Sequence, residues 1–128
     1  MAEWVKIFGA KWDAIDSNDL GDDGTAESAA RDNSSAGEMG AHVHVVCDDG
    51  AGSDTPGTRL YIRGSLDGTN WADALAHTLK VLPSPSGGSV ARDFLVLDLP
   101  PYYKLGLKNE TGGAADYDVD VREFHIKK

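Results

Sequence analysis

Two histidines are the first residues whose spacing suits chemistry. His42 and His44 stand two residues apart in the stretch AHVHVVC. Side chains two apart on a β-strand project from the same face, so both rings can bind one metal ion. A third ligand must come from His77, His125 or an aspartate, and no spacing in the sequence fixes which. The sequence therefore favours two surface histidines over a metal site at this pair.

Two aspartate-rich loops, DLGDDG and CDDGAGSD, have the composition of calcium loops. A helix-loop-helix calcium site needs alternating oxygen ligands, a glycine at its sixth position and a glutamate at its twelfth. Counting from Asp19, Gly24 fits the sixth position, but Ala30 occupies the twelfth. The sequence therefore does not match this motif, and a calcium site of a less regular kind is the alternative that stays open. We predict no bound metal and no cofactor.

No combination of residues specifies a catalytic centre. A glycosidase needs two opposed carboxylates, but 21 acidic residues allow so many pairs that none is informative. The serine-hydrolase elbow G-x-S-x-G is absent from the sequence, and Gly87-Gly88 lack the lysine of a phosphate-binding loop. The single cysteine, Cys47, shares a strand parity with Val43 and Val45, which predicts a small buried residue. The sequence therefore predicts that the protein is not an enzyme.

The charge balance is strongly acidic, with 12 Lys and Arg against 21 Asp and Glu and a net charge of −9. The basic residues are scattered, and the only adjacent pair is Lys127-Lys128, which disfavours nucleic-acid binding. No apolar run approaches the roughly 20 residues that a membrane helix needs, and the N-terminal stretch does not have the pattern of a signal peptide. The acidic balance suits either simple solubility or docking on a surface with exposed positive groups.

The stretch from Thr58 to Trp71 contains the best candidates for ligand contact. Its alternating residues predict a strand with one buried face, carrying Leu60 and Leu66 among its inward residues, and Asp67-Gly68 predicts a tight turn. Trp71 is predicted to be largely buried behind the turn. If the chain binds a sugar instead, aromatic rings would stack on it while the turn residues make hydrogen bonds. The candidate binding residues are Tyr61, Asp67, Asn70, Trp71 and Tyr102.

The elements that would position these residues are short strands separated by Gly, Pro, Asn and Asp turns. A loop is expected at 83–88, and a turn or short helix between Trp71 and a strand from His77 to Leu82. The last strand changes its inward parity near Arg122-Glu123, which suggests a β-bulge. This pattern predicts an all-β fold, an antiparallel β-sandwich with a jelly-roll-like arrangement of about seven to eight strands.

The first 40 residues are expected to differ from the remainder. Residues 3–8 can form a strand, whereas 11–40 are rich in Asp, Gly and Ser and poor in large apolar side chains. Such a composition buries little surface, so we expect a long irregular segment, a flexible arm or loop that orders mainly in an assembly. The sequence thus predicts one domain overall, with 1–40 as N-terminal strand and arm and 41–128 as the sandwich.

Two motifs resemble a family of small β-sandwich virion proteins of tailed bacteriophages. In that family a strand leads into a G-S-x-D-G-x-x-W turn, and a later strand with a Y-x-L pattern ends in an N-x-T/S-G turn. The residues that match the first motif are Gly64, Ser65, Asp67, Gly68 and Trp71. The residues that match the second are Tyr103, Leu105, Asn109, Thr111 and Gly112. The resemblance covers about the C-terminal two-thirds of the chain.

The resemblance implies a structural role in the virion, most specifically as a capsid decoration (cement) protein. Its partner would be the major capsid protein, its location the capsid surface after synthesis in the cytoplasm of the bacterial host, and its assembly a homotrimer. Two alternatives stay open: a carbohydrate-binding module of a tail or fibre, and a tail or connector component. Neither nucleic acid nor a membrane is an expected partner.

Overall fold

The computed structural model describes residues 3–35, 37–48, 57–72, 77–81 and 89–127 of the 128-residue chain. These ranges contain nine β-strands: β1 (Val5–Leu20), β2 (Thr25–Glu27), β3 (Arg31–Asp32), β4 (Gly40–Asp48), β5 (Gly57–Ser65), β6 (His77–Val81), β7 (Ser89–Val96), β8 (Tyr102–Glu110) and β9 (Ala115–Lys127). In the same ranges no helix is long and apolar enough to cross a membrane.

The strands form two antiparallel sheets. Sheet I has the order β1-β9-β4-β7, and sheet II has the order β2-β8-β5-β6, with β3 also pairing with β8. Because β2 and β3 pair with different parts of β8, they are two pieces of one edge strand. The nine strands therefore occupy eight positions, and these follow the chain order of a jelly roll. The predicted fold class is confirmed.

The core lies between the sheets and consists of alternate residues of the central strands. Side chains at most 1% exposed come from both sheets: Val43, Val45, Val119 and Val121 from sheet I, and Leu60, Ile62, Leu105 and Leu107 from sheet II. Cys47 is buried beside them at 2% exposure, as predicted. Residues of the opposite parity face outward, and no other strand among the described residues covers the outer face of either sheet.

The expectation of a loop or arm over 11–40 is wrong for its first half. β1 continues to Leu20 and pairs with β9 along its length, while β2 and β3 pair with β8. Three register shifts insert extra residues into β1, so its inward side chains, among them Trp12, Ile15 and Leu20, do not alternate in the sequence. Because the sequence of β1 therefore lacks a period-two pattern, the strand could not be predicted from it. Whether this segment gains further order in an assembly stays a prediction.

Two local expectations also need correction. Leu66 lies beyond the end of β5 and is 86% exposed, so it does not continue the buried parity. β9 has a continuous register with β4 through Arg122 and Phe124, so the parity change is not a bulge of β9. Phe124 instead lies on the outer face of sheet I, where the rings of Phe8 and His42 cover it.

The sequence also predicts a strand near His77, a turn or short helix before it and a loop after it. β6 confirms the expected strand at His77–Val81. The loop expected at 83–88 and most of the turn or helix expected before β6 lie outside the described residues.

Candidate interaction surfaces

The turn between β5 and Trp71 is held by the carboxylate of Asp67 and the hydroxyl of Ser65. Asp67 Oδ1 accepts hydrogen bonds from the backbone N–H groups of Thr69 and Asn70, each at 2.8 Å, and Oδ2 accepts one from Asn70 Nδ2. These bonds, those from the Asn70 and Thr69 backbone first, hold the pKa of Asp67 well below its usual range. Gly68 has a φ of 80°, which explains the glycine at this position. The predicted turn is confirmed, and the Asp67 carboxylate accepts hydrogen bonds within it.

Three candidate aromatic residues lie on the outer face of sheet II, and each has a close neighbour. Trp71 is mostly buried, though less completely than the core residues, and Lys104 Nζ lies 4.4 Å from its ring centroid. Tyr61 donates a hydrogen bond to Glu27 Oε2 at 2.9 Å. Burial, followed by that bond, raises the pKa of Tyr61 to about 12. The three aromatic candidates therefore lie on one face, but the Lys104 side chain lies over the Trp71 ring.

Glycines make room for two of these rings. A Cβ at Gly106 would lie 2.2 Å from Cζ of Tyr61, so the tyrosine ring packs flat on the backbone of β8. A Cβ at Gly68 would lie 3.0 Å from Cδ1 of Tyr102. Both rings are thus fixed by backbone contact, and what they offer to a ligand is their outer surface.

The outer face of sheet I carries carboxylates that the sequence analysis did not single out. We call it the acidic face; its members are Asp13, Asp16, Asp116, Asp118 and Asp120. Asp13 lies directly across from Asp120, and Asp16 directly across from Asp118. Like charges in such cross-strand pairs destabilise a sheet.

The charges of the acidic face act on one another. Burial, and then the carboxylates of Asp120, Asp13 and Asp16, raise the pKa of Asp118. Among the described residues, Lys11 is the cation within ion-pair range of this face, 3.7 Å from Asp120. Carboxylate oxygens of Asp13, Asp118 and Asp120 lie within 4.8 Å of one another, a spacing that can hold a cation, but exposed acidic groups are common without one. The absence of a bound metal stays a prediction.

The two histidines lie on this same face of sheet I but have different neighbours. His44 Nδ1 lies 2.7 Å from Asp93 Oδ1, whereas the ring of His42 lies 5.6 Å from each of the Phe8 and Phe124 rings. In the described part of the chain, no histidine belongs to a group of three potential metal ligands. His125 lies elsewhere, 3.3 Å from Glu38.

A buried polar cluster joins the two sheets at one end of the sandwich. Glu123 of β9 forms an ion pair with Arg31 of β3 and accepts a hydrogen bond from the Tyr103 hydroxyl at 2.7 Å. Arg31 stacks on Trp12, 4.6 Å from the ring centroid. Desolvation, followed by the bond to Glu123, raises the pKa of Tyr103 above its usual value. Both carboxylate oxygens of Glu123 are used internally, so this cluster stabilises the fold.

An open cleft of about 480 Å³ lies near this end, between the β3–β4 and β7–β8 connections. Asn33 lines the cleft, and its side chain exchanges hydrogen bonds with the backbone of Glu38 at 2.9 Å in each direction. Met39 and Leu99 supply apolar walls, and Asp98 adds a second carboxylate beside Glu38. None of these residues was a sequence candidate.

No protein-family model and no curated protein matches this sequence. Among solved structures, the PBSX exported protein XepA matches with a TM-score of 0.59 and 15% identity over 94% of this chain. This chain spans 38% of the XepA chain. At that identity the match shows the β-sandwich fold alone.

Two further solved structures match with TM-scores below 0.5. The C-terminal CBM6 of LamC, from the marine Zobellia galactanivorans, matches at 0.49 with 13% identity, over 93% of this chain and 98% of its own. The K1 cleaved adhesin domain of Lys-gingipain from Porphyromonas gingivalis matches at 0.42 with 14% identity, over 97% of this chain and 89% of its own.

Proposed function

We propose that this protein is a non-enzymatic virion structural protein of a tailed bacteriophage, a capsid decoration protein that binds the outer surface of the major capsid shell. The jelly-roll fold supports the proposal because the resemblance of the two turn motifs implies such a sandwich. The implied homotrimer on the capsid surface is part of the proposal.

The acidic face is the observation that carries the proposal. It is the outer surface of a sheet, and its carboxylates repel one another across β1 and β9. A partner surface with Lys or Arg groups at strand spacing would neutralise these pairs, so binding would relieve a cost that the free chain bears. An extended acidic surface fits a large, ordered partner such as a shell better than it fits a small molecule.

Co-sedimentation with decoration-free shells tests this role. Replacing Asp13 and Asp118 together by Asn should weaken shell binding by about 2- to 30-fold, since an exposed ion pair is worth about 0.2–1 kcal/mol. Affinity of the wild-type protein should also fall as salt is added.

A charge-matched control keeps this experiment specific. Replacing Asp23 and Asp32 by Asn removes the same charge from residues beside sheet II, where Asp23 lies 4.0 Å from Lys108. This double variant should bind shells like the wild type. Equal weakening by both double variants would show that overall charge, rather than the acidic face, governs binding.

Carbohydrate binding is the second candidate function, favoured by the grouping of Tyr61, Trp71 and Tyr102 on the outer face of sheet II. Aromatic rings on a flat face can stack on sugars. Calorimetric titration with glycans of the host surface tests it. A measurable affinity that Trp71→Ala abolishes, together with no shell binding, would replace the decoration role by an adhesive one.

A further inference from the structure

The beginning of β1 is a sheet edge with exposed apolar side chains. β1 is the outermost strand of sheet I, and among the described residues no other strand pairs with its second edge. Val5, Ile7 and Phe8 are 48%, 39% and 46% exposed. Proteins usually protect such edges, because unpaired backbone groups beside apolar side chains recruit another strand.

The remainder of β1 is protected, and its beginning is not. The register shifts follow Phe8, Asp13 and Ser17, so the bulges interrupt the edge everywhere after Phe8. Bulges and charged side chains are two devices that prevent edge pairing. Val5–Phe8 keeps a regular register with Phe124–Lys127. Edge pairing is therefore open only at this short segment.

This segment also extends past its neighbours. The register of β4 with β9 begins at Gly40 opposite Phe124, so the last residues of β9 pair with β1 alone. A two-stranded ribbon is at best marginally stable by itself in water. Pairing with further strands would therefore stabilise this end of the sheet.

The charge distribution favours the beginning of β1 over the remainder of the strand as the place where two copies meet. Cations gather on this end of β1 and β9, at Lys6, Lys11, Arg122 and Lys127, whereas the acidic face occupies the other end of the same two strands. Each chain has a net charge of −9, and an antiparallel contact at the beginning of β1 keeps the acidic faces of two copies farther apart than a contact further along the strand would.

We propose that β1 pairs with β1 of a second copy of this chain, antiparallel through Lys6–Phe8, about a two-fold axis at Ile7. Directly opposite residues of an antiparallel pair share a face, so Ile7 would contact Ile7 of the second copy, and Lys6 would lie opposite Phe8. That pairing gives apolar contact on one face. On the other face it places Phe8 of the second copy opposite Lys6, whose Nζ already lies 4.6 Å from the ring centroid of Phe124 in its own chain.

Neighbouring registers are worse. A shift that centres the axis on Lys6 would set two ammonium groups against each other, which is destabilising. A shift that centres it on Phe8 would set Ile7 against Gly9 and Lys6 against Ala10, the two residues of the register shift that follows Phe8. The register centred on Ile7 joins both copies of sheet I into one continuous sheet.

This pairing does not depend on the decoration role. A two-fold contact alone gives a dimer, and together with a three-fold contact elsewhere it gives a hexamer. Both assemblies contain an even number of chains.

Native mass spectrometry over a concentration series tests the pairing. The wild-type protein should show twice the 13.6 kDa chain mass, or six times that mass. Ile7→Glu should halve the assembly, because two carboxylates would meet at the axis. Leu66→Glu, at a residue 86% exposed in another part of the fold, should leave it intact. A wild-type protein that stays monomeric or purely trimeric throughout the series would overturn the proposal.

Disulfide trapping supplies a test that does not rely on disrupting the strand. With Ile7→Cys, the two thiols would face each other across an antiparallel pair, where Cα atoms lie about 4.5–5.5 Å apart and a disulfide can form. Cys47 is buried and does not compete. Under mild oxidation Ile7→Cys should give a covalent dimer, and Leu66→Cys should not. Failure of Ile7→Cys to cross-link, or equal cross-linking of both variants, contradicts the pairing.

Discussion

Replacing Asp118 by Asn is expected to stabilise the protein at neutral pH. Asp118 lies directly across from Asp16 and close to the facing pair of Asp13 and Asp120, and burial, followed by these charges, raises its pKa. The ionised form is therefore less favourable in the folded chain than in the unfolded one. Asparagine has nearly the same shape and removes the repulsion.

The size of the effect follows from the cross-strand geometry. Favourable cross-strand pairs contribute about 0.2–1 kcal/mol, and directly opposed like charges destabilise, so we take the same range for the cost. Relief of the Asp16 pair, with a smaller diagonal contribution, should raise the free energy of unfolding by roughly that amount. Urea unfolding followed by tryptophan fluorescence should show a higher midpoint with an unchanged slope. Added salt should shrink the gain because screening weakens the repulsion in the wild type.

The pH dependence of the gain has a definite sign. A raised folded-state pKa means that wild-type stability falls as pH rises through that pKa, because the folded state holds the proton more tightly. The advantage of Asp118→Asn should therefore vanish below the ordinary value of 3.8 and be complete at neutral pH. Asp67→Asn is the control with the opposite sign, since the lowered pKa of Asp67 means that its carboxylate stabilises the fold at neutral pH. Loss of stability in Asp118→Asn would refute the reasoning.

Three further predictions follow from the same structure. Trp71→Ala should cost about 1–2 kcal/mol, less than the 3–5 kcal/mol of a core aromatic, because the ring is not completely buried. Urea unfolding measures this, and a loss of about 3 kcal/mol or more would contradict it. A chelator should leave Tm unchanged, and a drop of several degrees that calcium restores would identify a metal site at the acidic face. Hydrogen exchange of the free protein should show protected amides around Ile15, since β1 is paired with β9 there, and uniformly fast exchange over β1 would show an arm instead.

The sequence was informative wherever strands alternate regularly. β5, β8 and the first part of β9 carry inward residues at every second position, so their strands and their buried faces could be predicted. β1 could not, because its register shifts destroy the period on which such a prediction rests. β2 and β3 have three and two residues, too few to show any period.

The interaction surfaces depend on which strands become neighbours, and a single sequence does not show this. Asp116, Asp118 and Asp120 alternate visibly within β9, which signals an acidic strand face. These three residues lie beside Asp13 and Asp16 only because β1 pairs with β9, and the two strands come from opposite ends of the chain. The ion pair between Arg31 and Glu123 spans 92 residues and likewise has no local signal.

Counting copies in purified particles tests the decoration role most directly. Quantitative mass spectrometry of virions should find hundreds of copies per particle, in a fixed ratio to the major capsid protein, and imaging should place them on the outside of the shell. A handful of copies at one vertex or on the tail would contradict the decoration role and identify a connector, tail or fibre component instead.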